Sequence, residues 1–246
     1  MFEIPKESAR ADRIRRILDV GVALVGLIVL SPVILLVSGA ILVGSGRPLL
    51  FSQVRLGRHG RRFHIFKFRK FRVNCGSHGF PLTLANDPRM TAVGRMLART
   101  KLDELPQLIN VLRGEMAIVG PRPESLDFVD CFTSANRDVL EFVPGIFGPA
   151  QSAFRDECSF YPADSDPVSF YRLVLFPIKV SVDLAYYPNR SLLSDFKWIF
   201  AGVLAVMGMQ GISVTLPAPP PIPRVTPQEI RTDVRRLRRL KAMADQ

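Results

Sequence analysis

The sequence predicts a helix-rich α+β protein with a broken N-terminal membrane helix, a short β-hairpin and amphipathic interfacial helices. Three observations carry that reading. Residues 20–43, VGVALVGLIVLSPVILLVSGAILV, hold no charged side chain and are interrupted at their centre by Ser31-Pro32. LLFSQVRL and RFHIFKFRKF flank Gly57-Arg58-His59-Gly60, and the second alternates at Phe66, Phe68 against Lys67, Arg69, which predicts two strands and a turn. Farther on, Leu105, Leu108, Ile109 and Leu112 recur at the spacing of one helix face.

At about 1.5 Å per residue, a straight helix over residues 20–43 reaches roughly 36 Å, enough for a hydrocarbon core of about 30 Å. A cleaved signal peptide has a shorter apolar region, about 7 to 15 residues. Pro32 removes a backbone donor and crowds the preceding turn, so the helix bends there and each half covers about half a bilayer. The Ser31 hydroxyl is placed to bond a carbonyl that the proline frees. Arg10, Arg13, Arg15 and Arg16 precede the run, and Arg47, Arg55, Arg58, Arg61 and Arg62 follow it. Basic flanks favour the cytoplasmic side, and here both ends are basic. A helix that enters, breaks and returns satisfies both flanks; a kinked spanning helix satisfies one. The residues alone leave the two readings standing, with a buried core helix as the third. WIFAGVLAVMGM, residues 198–209, is too short to cross and follows Asp195 and Lys197. It predicts a helix in the interface or on the core, with Trp198 at headgroup level.

Between these segments the basic-aromatic stretch 47–72 reads either as a hairpin near anionic headgroups, aromatics inward, or as a nucleic-acid surface. Its place directly after a membrane segment favours the hairpin. Ser77–Gly94 is turn-rich and predicts a loop; helices follow over 91–99 and 104–113. Pro144-Gly145 predicts a sharp turn, and Ser169–Leu184 a helix kinked or divided at Pro177. LPAPPPIP predicts an extended, semi-rigid linker. Thr226-Pro227-Gln228-Glu229 then reads as a helix start, opening a basic amphipathic helix with Ile230, Val234, Leu237 and Leu240 on one stripe. The expected organisation is a membrane helix with basic flank over 1–46, a catalytic domain over 47–211, a linker over 212–224 and a basic helix over 225–246.

The balance of charge narrows the partners. Among 246 residues, 33 Lys and Arg stand against 22 Asp and Glu, a net charge of +11. That predicts an anionic partner: nucleic acid, anionic lipid or a phosphorylated substrate. Cys75, Cys131 and Cys158 are odd in number and widely separated, which argues against a disulfide framework or a zinc site and for reduced thiols facing the cytosol. His59, His64 and His78 lack metal-ligand spacing and read as solvated surface.

The stretch TKLDELPQLINVLRGEMAIVGPRP, residues 100–123, sets two repelling carboxylates side by side. Asp103 reads either as a helix N-cap, with Glu104 in the first turn, or as half of a reactive pair. Arg95, Arg99, Lys101, Arg113 and Arg122 make the neighbourhood basic and suited to phosphate. In such a site one carboxylate can bind Mg²⁺ while the other attacks phosphorus. Gly120-Pro121-Arg122-Pro123 holds an arginine in a rigid turn, a form suited to gripping an anion at two oxygens.

KLDELPQLINVLRGEMAIVGPRPE closely resembles the core motif of the bacterial sugar transferases, the monotopic phosphoglycosyl transferases. The similarity extends upstream through SPV, PLLFSQVRLGRHGRRFHIFKFR and DPRMTAVGRML, and downstream through VPGIFGPAQ and FPIKVSVDLAYYPNRSLLSDFKWIF, roughly residues 10 to 208. The resemblance implies transfer of a sugar-1-phosphate from a nucleotide sugar, UDP-linked in the usual case, to polyprenyl (undecaprenyl) phosphate, as the first step of exopolysaccharide, O-antigen or other glycoconjugate assembly. It implies Asp103 as nucleophile, forming a covalent phosphosugar enzyme, and Glu104 as the Mg²⁺ ligand. Arg122, Arg99, Lys101 and Arg69 are the candidates for phosphate or substrate contact. Ser31-Pro32 matches the family's helix break, which implies a re-entrant helix and a monotopic protein on the cytoplasmic face of the bacterial inner membrane. A homodimer or downstream glycosyltransferases are the protein partners to expect, and nucleic acid is not. The chain departs from the family where an arginine often stands five residues before the nucleophile, here Ala98, and where a serine often stands two before it, here Lys101. Phe147 and Pro149 also replace the commoner Thr and larger apolar residue. Arg99 or Lys101 is left to take the missing arginine's role. The competing reading is a catalytically decayed membrane adaptor of the same fold; the retained Asp103, Glu104 and Arg122 argue against it.

Overall fold

A computed structural model describes residues 9–73, 75, 81–84, 87–162 and 165–206. The expected linker 212–224, the basic helix 225–246, His78 and part of the 77–94 loop lie outside the described residues. The chain opens on two helices, α1 (Ala9–Val29) and α2 (Ser31–Ser45), bent by 60° at the break between them. Ser31 Oγ donates to the Ile28 carbonyl at 2.7 Å. That oxygen lies four residues before Pro32, so the hydroxyl replaces the N–H that proline lacks. Among the described residues no single helix is long and apolar enough to cross a membrane; the bent pair together has the length and composition of a broken span or a re-entrant loop. Ile28, Val29, Leu35, Leu36 and Val43 are exposed along it.

The expected hairpin is present: β1 (Leu50–Leu56) pairs antiparallel with β2 (Arg62–Phe68), Leu50 opposite Phe68 and Leu56 opposite Arg62. The turn uses left-handed residues, His59 at φ 57° and Gly60 at φ 73°. β2 contributes core residues from both faces, while Arg62 and His64 stay exposed. Phe63 and Ile65 pack with Leu108 and Val111, while Phe68 packs with Val37, Ile41 and Leu97. Phe66 is half-buried beneath the Arg113 guanidinium, 4.9 Å from its ring centroid. Phe63 and Phe68 therefore serve the core.

Thr91 caps α3 (Ala92–Thr100), its Oγ1 accepting the Gly94 N–H at 2.8 Å. A 3-10 turn, Leu102–Glu104, leads into α4 (Gln107–Arg113), which buries Leu108, Val111, Gln107 and Asn110. Pro106, not Asp103, occupies the N-cap of α4, so the capping role for Asp103 is not realised. After the left-handed Gly114, β3 (Ala117–Val119) pairs parallel with β4 (Gly145–Phe147). The expected turn at Pro144-Gly145 is instead the entry to β4. Gly145 is needed because its backbone lies against Gly120, and a Cβ on either would overlap the other's main chain.

α5 (Pro149–Ala153) follows, and then α6 (Pro167–Phe170) runs through a π-helical turn, Tyr171–Leu175, into α7 (Phe176–Tyr186). The division expected at Pro177 takes the form of that π turn, which places the proline in the first turn of α7, where a missing donor is tolerated. In α8 (Leu192–Val206), Trp198 is 3% exposed and meets the Tyr186 ring edge-on, which corrects its expected place at headgroup level. The exposed stripe of α8 is Leu193, Phe196, Phe200 and Val203, spaced three and four residues apart. One core cluster gathers around α6 and α7. A second joins α1, β2, α4, β3 and α8, and a third joins α2, β2 and α3.

Candidate active site

The site forms between α3 and α4. Lys101, left-handed at φ 62°, ends α3 and reverses the chain into the short turn bearing Asp103 and Glu104. Asp103 is 2% exposed. Lys70 Nζ stands 3.8 Å from its Oδ2, and its Oδ1 is buried with no hydrogen-bond partner. Glu104 Oε1 accepts from Lys67 Nζ at 2.7 Å and from Arg122 Nη2 at 3.2 Å. The adjacent carboxylates thus address different cations, and that is how their repulsion is met.

Burial alone would raise the Glu104 carboxyl, but Lys67, Arg122 and Lys101 together outweigh it and hold it well below the usual carboxylate range. Burial lowers Lys67 to about 8 against the opposing pull of Glu104. Burial lowers Lys101 as well. Arg122 is pushed above its ordinary value, first by Glu104. Four cations around two carboxylates leave the site positive, which suits a diphosphate.

Arg122 is aimed by a turn whose backbone is fastened on both sides. Gly120 N–H donates to Phe147 O at 3.0 Å, Gly145 N–H to Pro121 O at 2.9 Å, and Leu56 N–H to Glu124 O at 2.9 Å. The Gln151 amide donates to Gly120 O at 2.8 Å. Glu124 accepts the Tyr171 hydroxyl at 2.7 Å, and buried Lys179 reaches the Tyr171 oxygen at 3.1 Å and Glu157 Oε2 at 2.9 Å. Tyr171 is in the π turn, a local widening of the kind often found beside functional sites.

Of the residues expected at the site, the structure brings Asp103, Glu104, Lys101 and Arg122 together, with Ser31 and Pro32 at the helix break. Arg99 is exposed on α3, and no ion pair within the site involves it. Arg69 is placed elsewhere. It is buried and donates to Pro48 O at 2.6 Å, Phe71 O at 3.1 Å, Ser45 O at 2.9 Å and Gly46 O at 2.6 Å. It therefore closes the C-terminal end of α2, because the last carbonyls of a helix need donors from outside it. Sequence reasoning missed Lys67 and Lys70 as site residues, and Tyr171 and Lys179 as supports. A signal for Lys67 was present: period-two alternation puts it on the face of Phe63 and Ile65, where a lysine needs a buried partner.

Among the described residues no cluster of three or more His, Cys, Asp or Glu side chains could hold a metal ion. Mg²⁺ does not require one, since it commonly takes one or two carboxylates and completes its shell with phosphate oxygens and water. Glu104, both of whose ion pairs use Oε1, fits that mode through its other oxygen.

Residues 10–209 match the family described as bacterial sugar transferase. The exopolysaccharide production protein ExoY of Sinorhizobium fredii is 34% identical over 229 residues, 85% of this chain and 94% of that protein. The UDP-N-acetylgalactosamine-undecaprenyl-phosphate N-acetylgalactosaminephosphotransferase of Aeromonas hydrophila is 34% identical over 200 residues, 79% of this chain and 44% of the relative. The UDP-glucose:undecaprenyl-phosphate glucose-1-phosphate transferase of Escherichia coli is 34% identical over 194 residues, 77% of this chain and 39% of the relative. The chain thus spans nearly all of the first protein and less than half of the other two.

Proposed function

Because the chain belongs to the bacterial sugar transferase family, we propose that it moves a sugar-1-phosphate from a UDP-sugar to undecaprenyl phosphate, opening the assembly of an exopolysaccharide or related glycoconjugate. The named relatives act on such lipids, and this supports the substrate class. The observation that carries the mechanism is Asp103: buried, with Oδ1 unpaired, among Lys67, Lys70, Lys101 and Arg122. A carboxylate oxygen without a hydrogen bond is a stronger nucleophile than one already bonded.

Asp103 Oδ1 attacks the sugar-linked phosphorus. The P–O bond to the nucleotide's other phosphate breaks, its electron pair leaves with the nucleoside monophosphate, and a mixed anhydride remains on Asp103. An oxygen of undecaprenyl phosphate then attacks the same phosphorus and returns Asp103 to a carboxylate. Arg122 and Lys101 hold phosphate oxygens, and Lys67 keeps Glu104 in place. Glu104 is the residue that would hold Mg²⁺, which would supply neutralisation of charge on the diphosphate. The bent α1–α2 pair enters the inner membrane from the cytoplasmic face and returns, keeping the site beside the lipid phosphate.

Mass spectrometry of the intact protein incubated with UDP-sugar and no lipid tests this. The wild type gains one phosphosugar on Asp103, and Asp103→Asn gains none and transfers nothing. Transfer by Asp103→Asn at the normal rate, or product formation without any adduct, overturns the mechanism.

A further inference from the structure

Lys70 is the one cation among the described residues at ion-pair distance from Asp103. Its position is built. The chain beyond β2 is bridged at Phe71 to Met90, and the Thr91 N–H donates to the Lys70 carbonyl at 3.0 Å. Gly94, in the first turn of α3, lies so close that any Cβ there would overlap that carbonyl. The ammonium rests 5.5 Å from the Phe71 ring centroid and faces Asp103 Oδ2, leaving Oδ1 unpaired.

We propose that Lys70 sets the energy of the covalent intermediate, favouring Asp103 as free carboxylate over Asp103 as anhydride. The inference rests on the nucleophilic role proposed for Asp103. When the lipid phosphate attacks, a new P–O bond forms, the P–Oδ1 bond breaks, and the electron pair returns to the carboxylate. No proton moves. The returning charge spreads onto Oδ2, 3.8 Å from Nζ. A fixed positive charge beside a developing negative one lowers the barrier to its formation. The same charge stabilises the resting carboxylate, so it slows or leaves unchanged the first attack and speeds the second. A lysine that only held the rotamer of Asp103 would help both half-reactions alike.

The test uses the full chain in detergent, with UDP-glucose or UDP-N-acetylgalactosamine, whichever releases UMP. The ratio of adduct to free enzyme is measured by intact mass at a fixed ratio of UDP-sugar to UMP, without lipid. Undecaprenyl phosphate is then added and decay of the adduct is timed. Lys70→Met raises the adduct ratio about tenfold and slows the decay by a similar factor, while Lys70→Arg stays near wild type. Lys70→Gln replaces the Met variant if that one fails to fold. An unchanged ratio with unchanged decay in a folded variant, or equal slowing of both half-reactions, overturns the proposal. If the wild type forms lipid product with no adduct, the Asp103 mechanism itself fails, and the role of Lys70 falls with it.

Discussion

Lys67 is the site residue whose charge responds to pH near neutrality. Burial lowers it to about 8 while Glu104, 2.7 Å away, resists the loss of its proton. Below that pH the ammonium is present and Glu104 is held; above it the ion pair dissolves as the amine becomes neutral. The kcat/KM for the nucleotide sugar, which reports the free enzyme, therefore falls as pH rises through about 8. Lys67→Arg moves that limb upward by more than about one pH unit, because guanidinium keeps its proton. Lys67→Met abolishes the limb and lowers kcat/KM by roughly 10- to 100-fold, the worth of a charged hydrogen bond. A wild-type profile flat to pH 10 would refute this reading of Lys67. That Asp103, Glu104 and Arg122 lie together was legible in the sequence because they share one short linear stretch. Lys67 was not, because 37 residues separate it from Glu104 and only the antiparallel strand brings it back. Arg69 was misplaced for a related reason: β2 ends at Phe68, so alternation no longer dictates where the next side chain points.

At the scale of elements, local chemistry decided what could be read. The Ser31-Pro32 break was legible because one missing donor and one hydroxyl suffice to make it. The parallel pairing of β3 with β4 was not, since each is three residues long and neither shows a period. What signals it is the glycine on each side of the pair, and close approach is invisible until both chains are in place. Asn110 is a further case. It is wholly buried in α4, and its side chain imitates a neighbouring strand: Oδ1 accepts Phe66 N–H at 3.0 Å and Nδ2 donates to His64 O at 2.7 Å. Nδ2 also donates to Glu115 Oε2 at 2.7 Å. The open edge of β2 is closed in this way, and the strand that carries Lys67 is fixed to the helix that follows Glu104. Asn110→Ala leaves a buried N–H and two acceptors without partners, a cost of about 2–4 kcal/mol. Chemical denaturation should show that loss as a lower midpoint. Asn110→Asp keeps the bond from Phe66 and places a carboxylate against Glu115, so it should destabilise at neutral pH and partly recover at pH 5. Equal midpoints for wild type and Asn110→Ala would show that the edge is closed by other means.

Across the whole molecule, α1 is both half of the bent apolar pair and part of the candidate site's frame. Its first turns reach three elements. Arg16 donates to the carbonyls of Val111 at 2.6 Å and Leu112 at 2.9 Å, Asp19 accepts the Ile118 N–H at 2.9 Å, and Arg15 pairs with Asp195 of α8 at 2.9 Å. α4 begins just after Asp103 and Glu104, and β3 ends just before the Arg122 turn. One helix thus grips both arms of the candidate site, and the same helix leads into the apolar bend. A sugar transferase that only needed tethering could hang its catalytic domain from a loose anchor. This frame instead fixes the position of Asp103 and Arg122 relative to the bent α1–α2 pair. Arg16→Met retains the aliphatic stem but removes two charge-assisted bonds to the end of α4, a cost of about 3 kcal/mol. For a chain of this size that lowers Tm by roughly 6–12 °C. The deciding measurement is kcat in detergent, well below the Tm of either protein, where no bilayer remains to be anchored in. If α1 frames the site, kcat falls along with Tm because Glu104 and Arg122 lose their fixed separation. If α1 only anchors, detergent-solubilised Arg16→Met turns over like the wild type, and the framing role is wrong.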